Sequence, residues 1–359
     1  MKKQSEPLIV AIGGGKGGVG KSMVSSNLAV QYAQAGLQVV LIDLDVGAAN
    51  LHTIFGIRQP PKGLGDYFTT PRSQLTDYFV ETNIPNLKLV PGSGFVPELA
   101  NLKHVQKLKI ITQIKSLSTD LVLLDLGAGS SSSVIDFFSM THAGIVVTTP
   151  EPTAIVNAYE FLKNVIYRIL FRMFKNQEDI LEILKNSTLP NQGIATIDDL
   201  IKVISKKHPW AAQNIRDICK DLDFYLIFNQ SRKLGDIQLG AKLHNICQRY
   251  LNIDLTFSGM IFYNEEVSAS VFKMCPISIA YPQTVTSQTL KRIALSIFQQ
   301  IGVKLLGDHP KAPFDEQIAA AMGFAKKDFE LNLLAQKRIQ REREKQFNVP
   351  VAHDPVGIL

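Results

Sequence analysis

The chain has 359 residues, of which 45% are hydrophobic and 19% charged, so it can bury a large core in one big α/β domain or in two smaller ones. Its net charge of +6 allows attraction to nucleic acid or to an anionic membrane surface without demanding either. No apolar run approaches the length of a membrane span, and the chain enters a strand-like run too early for a signal peptide, so the sequence predicts a soluble, cytoplasmic protein.

The first apolar run, Leu8 to Ile12, is followed by a glycine-rich loop and then by a helical pattern, Met23 to Gln34. The loop contains GxxxxGK[ST] from Gly15 to Ser22, with a second lysine, Lys16, inside it. A strand, a loop and a helix in this order are the context that the phosphate-loop motif requires. A glycine-rich turn that served only chain geometry would not need Lys-Ser at the start of the helix. We therefore predict that the chain binds a nucleoside triphosphate.

The loop residues have different predicted tasks. Glycines lack a Cβ atom, so the backbone N–H groups can turn inward around the β-phosphate, and the following helix adds the positive end of its dipole. The ammonium of Lys21 is predicted to span the β- and γ-phosphates, and the hydroxyl of Ser22 to complete the shell of a magnesium ion. The predicted nucleotide-binding residues of this segment are Gly15, Lys16, Gly17, Gly18, Val19, Gly20, Lys21, Ser22 and Met23.

Aspartates end two later apolar runs. Asp43 ends Val39 to Asp43, and Asp45 follows two residues later. Two carboxylates so close together at the end of a strand can serve different tasks, so we expect one to face the water shell of the metal and the other to orient the attacking water. The alternative is that both only cap the end of the strand. Asp125 ends the run Leu121 to Asp125 and matches the second magnesium-shell group of such NTPases. The glycines and serines after it are typical of a mobile element that responds to the γ-phosphate.

The alternation of apolar runs with helical patterns predicts an α/β fold of the P-loop NTPase type: a twisted, mostly parallel sheet with helices on both faces. The runs are continuously apolar, as expected for strands that are buried on both sides. We assign residues 1–305 to this ATPase domain. The predicted strands are Leu8 to Ile12, Val39 to Asp43, Leu87 to Val90, Leu121 to Asp125, Gly144 to Thr148, Phe224 to Asn229 and Ser258 to Phe262.

A helical insertion is predicted at about residues 172–222, because roughly 75 residues separate two of these strands, more than a simple crossover needs. Thr196 to Lys206 and Trp210 to Leu222 are predicted to form two of its helices. An apolar stripe precedes it, and it indicates either a crossover helix packed on the sheet or a surface for a partner or a membrane. The stripe consists of Phe161, Leu162, Val165, Ile166, Ile169, Leu170, Met173 and Phe174.

Residues 306–359 are predicted to form a C-terminal helical extension and tail, with one long helix from Asp315 to Gln346. Its last part is charged and basic, which favours a solvated helix or a partner-binding arm. A basic amphipathic membrane anchor is the alternative. One stripe of the helix carries Ile318, Met322, Ala325, Phe329 and Leu333.

Taken together, these motifs resemble the MinD/ParA family of ATPases. Lys16 with Lys21 in KGGVGKS resembles the deviant Walker A loop of that family, and DLDVGAAN at 43–50 is similar to its paired-aspartate switch, including Asn50. DLGAG at 125–129 and TTPEPTAIVNAY at 148–159 look most like the FlhG/FleN branch, which controls the number and placement of flagella in bacteria.

The resemblance implies a homodimer in which two subunits sandwich two ATP molecules, with Mg²⁺ as the metal. Lys16 would reach across to the phosphates bound by the partner subunit, as an arginine finger does, and Asp45 would position the hydrolytic water. Asp43 and Asp125 would hold magnesium through water. The implied catalytic residues are Lys16, Lys21 and Asp45, the residue that hydrogen-bonds adenine is Asn229, and the switch residues are Asn50 and Gly127.

These features favour an ATP-driven dimerisation switch with slow hydrolysis, stimulated by an activating or cargo protein. It would position polar flagella or another pole-associated apparatus, from the cytoplasm, the inner face of the cell membrane or the pole. The alternative is a ParA-like partitioning ATPase that grips DNA non-specifically. Such a protein needs a basic patch, to which Lys206, Lys207, Arg232 and Lys233 could contribute.

Iron–sulfur carriers with a related loop need bridging cysteines. Cys219, Cys247 and Cys275 are far apart and form no CxxC pair, so the sequence shows no such ligand set and no zinc knuckle. We expect all three to be buried or half-buried thiols.

Overall fold

The computed structural model describes residues 6–45, 47, 49–94, 102, 104–189, 193–306 and 314–347. Within these ranges the chain forms eight strands, and the seven predicted ones are confirmed with small differences at their ends. The strands are β1 (Leu8–Gly13), β2 (Val39–Asp43), β3 (Val80–Glu81), β4 (Leu87–Val90), β5 (Leu121–Asp125), β6 (Ala143–Thr148), β7 (Phe224–Ser231) and β8 (Leu255–Phe262).

All eight strands belong to one sheet with the order β3-β4-β2-β5-β1-β6-β7-β8. Every neighbouring pair is parallel except β3 and β4, which are antiparallel. The short edge strand β3 was not predicted, because its two residues carry no apolar run. Since the parallel strands share one direction, their carboxyl ends meet at one edge of the sheet, where ligands bind in such folds.

Fourteen α-helices lie within the described ranges. They are α1 (Lys21–Gln34), α2 (Leu51–Ile54), α3 (Leu64–Thr69), α4 (His104–Lys115), α5 (Ser132–Phe138), α6 (Pro152–Met173), α7 (Glu178–Ser187), α8 (Ile197–Ser205), α9 (Pro209–Asp221), α10 (Ile237–Leu251), α11 (Glu265–Phe272), α12 (Ile277–Ala280), α13 (Val285–Leu306) and α14 (Phe314–Phe347).

The helices cover both faces of the sheet, as predicted. Alternate residues of β1 enter two different cores: Ile9 and Ala11 pack on one face, and Val10 and Ile12 on the other. Helices α1, α2, α12 and α13 contribute to the second core, whereas α3 to α10 and α14 contribute to the first. The chain therefore has the doubly covered parallel sheet of a P-loop NTPase.

The apolar stripe before the insertion lies on α6 and packs on the sheet. Phe161, Leu162 and Leu170 are fully buried, and Phe161 meets Phe138 of α5 with ring centroids 4.8 Å apart. The stripe is therefore a crossover helix face. The insertion itself consists of α7, α8 and α9; two of these helices were predicted, and α7 was not delimited.

The C-terminal helix was predicted in the correct place, but it is not a solvated arm throughout. Ala325 is buried against the sheet, and the ring of Phe329 lies 5.4 Å from that of Phe262 in β8. Asp328 forms an ion pair with Arg292 of α13. Leu333, the last residue of the predicted stripe, is 42% exposed, so docking ends near this point. The pattern of apolar residues was read correctly, but the surface that it covers is the edge of the chain's own sheet.

Among the described helices, none is both long enough and apolar enough to cross a membrane. Cys219 and Cys247 are buried and Cys275 is half-buried, as predicted. Burial raises the pKa of the Cys219 and Cys247 thiols to about 12, so they remain protonated and unreactive at neutral pH. The domain limits at 305 and 306 stay a prediction, and the predicted tail, 348–359, lies outside the described residues.

A buried ion cluster joins three helices on the first face. The carboxylate of Asp136 in α5 lies 2.5 Å from the ammonium of Lys107 in α4 and 2.6 Å from Nε of Arg168 in α6. The side chains of Asp136 and Lys107 are 9% and 8% exposed. Burial opposes ionisation of Asp136, but Arg168 and Lys107 outweigh it and hold the pKa of the carboxyl below its ordinary value.

Replacement of this carboxylate is expected to be costly. Asp136→Ala leaves the buried Lys107 ammonium without a counter-charge, so we expect the free energy of unfolding in urea to fall by about 3 kcal/mol. Glu81→Ala, which removes an exposed partner of Lys88, is the control and should change it by less than about 1 kcal/mol. Because the folded-state pKa of Asp136 is depressed, its contribution is present above about pH 4 and is lost as the pH falls further. A wild type and variant of equal stability at pH 7 would contradict this account.

Candidate functional site

The phosphate loop joins β1 to α1 at the carboxyl edge of the sheet. Gly20, the residue before α1, has a φ of 89°, in the left-handed region that favours glycine. It has no side chain to cap the helix, so the first N–H groups of α1 face the loop without a side-chain acceptor. A helix terminus of this kind attracts the oxygens of a phosphate. The predicted strand, loop and helix are all confirmed.

Side chains from β7 hold the loop from outside. The Asn229 amide donates from Nδ2 to the Val19 carbonyl at 2.9 Å, and Gln230 donates from Nε2 to the Gly18 carbonyl at 3.2 Å. A Cβ atom at Gly20 would lie only 2.2 Å from Nδ2 of Asn229. The structure therefore places Asn229 against the loop, where its predicted contact with adenine stays a prediction. Gln230 was not predicted, because one polar residue near a strand end carries no distinguishing signal.

Lys21 lies inside the loop. It is 8% exposed, and its ammonium lies 3.5 Å from the carbonyl of Lys16. Burial lowers the pKa of Lys21, while the charges of Asp125 and Asp45 act in the opposite direction. An ammonium at this place, beside the N-terminus of α1, supplies positive charge where a triphosphate would sit. Ser22 and Met23 follow it in the first turn of α1.

Asp43 and Asp125 lie side by side. They end the neighbouring strands β2 and β5, where their Cα atoms are register partners, and each is 1% exposed. Asp43 accepts hydrogen bonds from the N–H groups of Asp45 and Leu51, both at 3.2 Å. Burial and the neighbouring Asp125 raise the pKa of Asp43 well above its ordinary value, and burial raises that of Asp125 to about 6. The two carboxylates therefore repel each other in the absence of a cation.

These residues fit a magnesium ion. Oδ1 of Asp125 is buried and accepts no hydrogen bond from any residue that the structure describes. The Ser22 hydroxyl opposes the effect of burial and lowers the pKa of Asp125. In the described part of the chain, no three His, Cys, Asp or Glu side chains are grouped so that they could hold a metal by themselves. That is compatible with magnesium, which keeps several waters and takes further oxygen ligands from phosphates.

The repulsion between the carboxylates of Asp43 and Asp125 is expected to lower the free energy of unfolding. In EDTA at pH 7.5, Asp43→Asn should raise the free energy of unfolding by about 1 kcal/mol, because one buried charge is removed. A carboxyl whose pKa is raised on folding destabilises the folded state as the pH rises above its ordinary pKa of about 4, and burial and the neighbouring Asp125 raise the pKa of Asp43 in this way. The gain should therefore disappear at pH 4. Thermal unfolding at both pH values measures it, and destabilisation of the variant at pH 7.5 would contradict the repulsion.

The predicted catalytic and switch residues after β2 and β5 come together. A Cβ atom at Gly127 would lie 3.2 Å from Oδ1 of Asp45, so the backbone after β5 packs directly on this carboxylate. Asp45 is half-buried, in contrast to the fully buried Asp43. Asn50 lies just before α2, whose first N–H group bonds to Asp43. A conformational change in the segment after β2 would therefore shift the segment after β5, and the reverse.

The side chain of Lys16 contacts the start of α6. Its ammonium lies 2.8 Å from Oε2 of Glu151 and 3.3 Å from Oγ1 of Thr153, at the start of α6. Neither partner was predicted, although both lie in the segment that carries the family resemblance. The side chains of Lys16 and Glu151 are 38% and 62% exposed, so the pair contributes only about 0–1 kcal/mol and is easily broken. One loop lysine therefore serves the loop itself, whereas the other is available at the surface.

Solved structures with a similar fold include the septum site-determining protein MinD from Pyrococcus horikoshii, complexed with Mg-ADP. The match has a TM-score of 0.57 at 18% identity and covers 83% of this chain and 98% of the other. At this level of identity the likeness concerns the fold alone. It agrees with the parallel sheet and the loop described above.

The sequence relatives are more informative about the family than the solved structures are. The antiactivator FleN of Pseudomonas aeruginosa is 26% identical over 292 residues, which cover 80% of this chain and 85% of the relative. The flagellum site-determining protein YlxH of Helicobacter pylori is 32% identical over 196 residues, covering 54% of this chain and 63% of the relative. The family model for the CobQ/CobB/MinD/ParA nucleotide binding domain matches residues 10–277. The chain therefore belongs to the MinD/ParA family of nucleotide-binding proteins.

Proposed function

We propose that this chain is a Mg²⁺-dependent ATPase that dimerises around ATP and controls the number or placement of polar flagella. The observation that carries the proposal is the separation of the two loop lysines. Lys21 is buried inside the loop, whereas Lys16 lies outside it, held by an exposed and weak ion pair with Glu151. A chain acting alone needs one loop lysine for its own phosphates. The second, whose ion pair is exposed and weak, would then serve a nucleotide bound by another copy.

Hydrolysis is supported by the arrangement of the carboxylates. The metal, when bound, would neutralise charge on the phosphates, with Asp43, Asp125 and Ser22 holding it directly or through water. Asp45 is partly open to solvent and packs against Gly127, so it can orient a water molecule beside the phosphate end of the site. Lys16 of a second subunit would add positive charge to the transition state. This division of tasks explains why Asp43 is buried and Asp45 is not.

The flagellar role is proposed from the relatives. FleN is named an antiactivator and YlxH a flagellum site-determining protein, and the match to FleN covers 80% of this chain. An activating or cargo protein would then stimulate turnover, and the ATP-bound dimer would act at the inner face of the membrane or at the pole. Non-specific DNA binding has less support, because the guanidinium of Arg232 already lies over the ring of Tyr263, 4.4 Å from the ring centroid.

The test combines enzymology with cell morphology. Purified protein should hydrolyse ATP only with Mg²⁺, and its mass by light scattering should double in MgATP. Electron microscopy should then show an altered number or position of flagella both in a deletion strain and in a strain carrying Lys16→Ala. Normal flagella in both strains would overturn the flagellar part of the proposal. A protein that neither binds nor hydrolyses ATP would overturn all of it.

A further inference from the structure

The C-terminal helix reaches the carboxyl edge of the sheet and binds the residue that follows β8. Asn332 donates from Nδ2 to the carbonyl of Tyr263 at 3.1 Å, and Gln336 donates from Nε2 to the same carbonyl at 3.5 Å. Asn332 is only 7% exposed, although it is polar and lies near the end of the docked part of α14. A buried amide is retained where its hydrogen bonds are needed. Its partner here is a single backbone oxygen of the strand-to-helix turn.

Tyr263 is also tied to β7. Its N–H group donates to the Ser231 carbonyl at 2.9 Å, and the guanidinium of Arg232 lies over its ring, 4.4 Å from the ring centroid. The next residue, Asn264, accepts a hydrogen bond from the N–H group of Glu266 at 2.8 Å and so caps α11. The turn between β8 and α11 is therefore fixed by β7, α11 and α14. Of these, α14 is the element furthest away in the sequence.

This turn lies on the side of the loop where a nucleoside would extend. The buried carboxylates of Asp125 and Asp43 end β5 and β2, which follow β1 in one direction across the sheet. The metal and the terminal phosphate are therefore expected on that side of the loop. The other direction leads through β6 to β7 and β8. There Asn229 and Gln230 already touch the loop, and Ser231 and Tyr263 follow directly. The sugar and base would lie over these strand ends, where the Tyr263 and Arg232 side chains offer a flat surface for stacking.

We propose that α14 sets the affinity for the nucleoside part of the nucleotide, with Asn332 and Gln336 as positioning residues that hold Tyr263 in place. This inference rests on the proposed binding of ATP. The phosphate loop is built without α14, so the helix should affect the base and leave phosphate binding unchanged. Binding is reciprocal: if docked α14 favours the nucleoside, then bound nucleoside favours docked α14.

The test compares MgATP with inorganic tripolyphosphate, which has the phosphates but no nucleoside. In the full chain, Asn332→Ala combined with Gln336→Ala should weaken MgATP binding about 10-fold, in line with the loss of one stacked base, and change tripolyphosphate binding less than 2-fold. Lys337→Ala, an exposed change on the same helix, should alter neither. Tyr263→Ala, which removes the ring itself, should lose at least as much MgATP affinity as the double variant.

Unchanged MgATP affinity in the double variant would overturn the inference and leave ATP binding intact. An equal loss of affinity for MgATP and for tripolyphosphate would also overturn it, because it would show that the two residues have only a structural role. A wild type that binds neither ligand would overturn the proposed function together with it. Hydrogen exchange gives a second readout. Amides of α14 around Asn332 should exchange several-fold more slowly with MgATP than with tripolyphosphate, and equal exchange with both ligands would contradict the coupling.

Discussion

Lys16→Ala is expected to lower ATP turnover by roughly 1,000-fold and to abolish ATP-dependent dimerisation, while a measurable affinity for ATP remains. Lys21 stays buried in the loop in this variant and still neutralises the phosphates. What disappears is the surface ammonium now held by Glu151. A cation supplied in trans to a phosphoryl-transfer site contributes a factor of about 10³–10⁵ to turnover. Steady-state ATPase assays and light scattering in MgATP measure both effects.

Glu151→Gln is the matched control, because it removes the ion pair but keeps Lys16. The pair is largely exposed and contributes at most about 1 kcal/mol, so turnover should change by no more than about 5-fold. A fall as large as that of Lys16→Ala would show that the ion pair, and not a reach toward a second subunit, is what matters. Wild-type turnover in Lys16→Ala would remove this lysine from the mechanism.

The strands and the loop were predictable because their signals are local. Continuous apolar runs such as Val39–Asp43 and Leu121–Asp125 are long enough to define a buried strand, and both were confirmed residue for residue. Since both strands end in an aspartate and parallel strands end at one edge, a shared carboxylate site could be expected. The structure adds that β2 and β5 are direct neighbours and that both aspartates are buried. Burial raises the pKa of both carboxyls, and the neighbouring Asp125 raises that of Asp43 further.

The contacts that were not predicted join distant parts of the chain. The pairing of Lys16 with Glu151 spans 135 residues, and no local pattern selects this glutamate. The docking of α14 was missed for a different reason. An amphipathic stripe shows that a helix packs on an apolar surface. The sequence pattern of the stripe does not depend on whether that surface belongs to a partner, to a membrane or to the chain's own β8. Only the packing of Phe329 on Phe262 decides between them.

Asp45→Ala should slow hydrolysis by about 10²–10⁴-fold and trap an ATP-bound dimer. The side chain of Asp45 is half-buried beside Gly127, and the hydrogen bonds to the Asp43 carboxylate come from the backbone N–H groups of Asp45 and Leu51, which the variant keeps. Its removal takes away the group proposed to orient the attacking water and leaves the predicted metal and phosphate contacts in place. Light scattering in MgATP should therefore show a dimer that persists for much longer than that of the wild type, and single-turnover assays should show the slow chemical step.

Comparison with Asp43→Asn separates assembly from chemistry. That variant removes a buried carboxylate from the predicted magnesium site, so it should require more Mg²⁺ for any ATP-dependent dimer to form. Asp45→Ala should dimerise at the Mg²⁺ concentration that suffices for the wild type. If Asp45→Ala instead remained a monomer in MgATP, Asp45 would be needed for assembly itself, and the model in which ATP binding closes the dimer and hydrolysis opens it would be wrong.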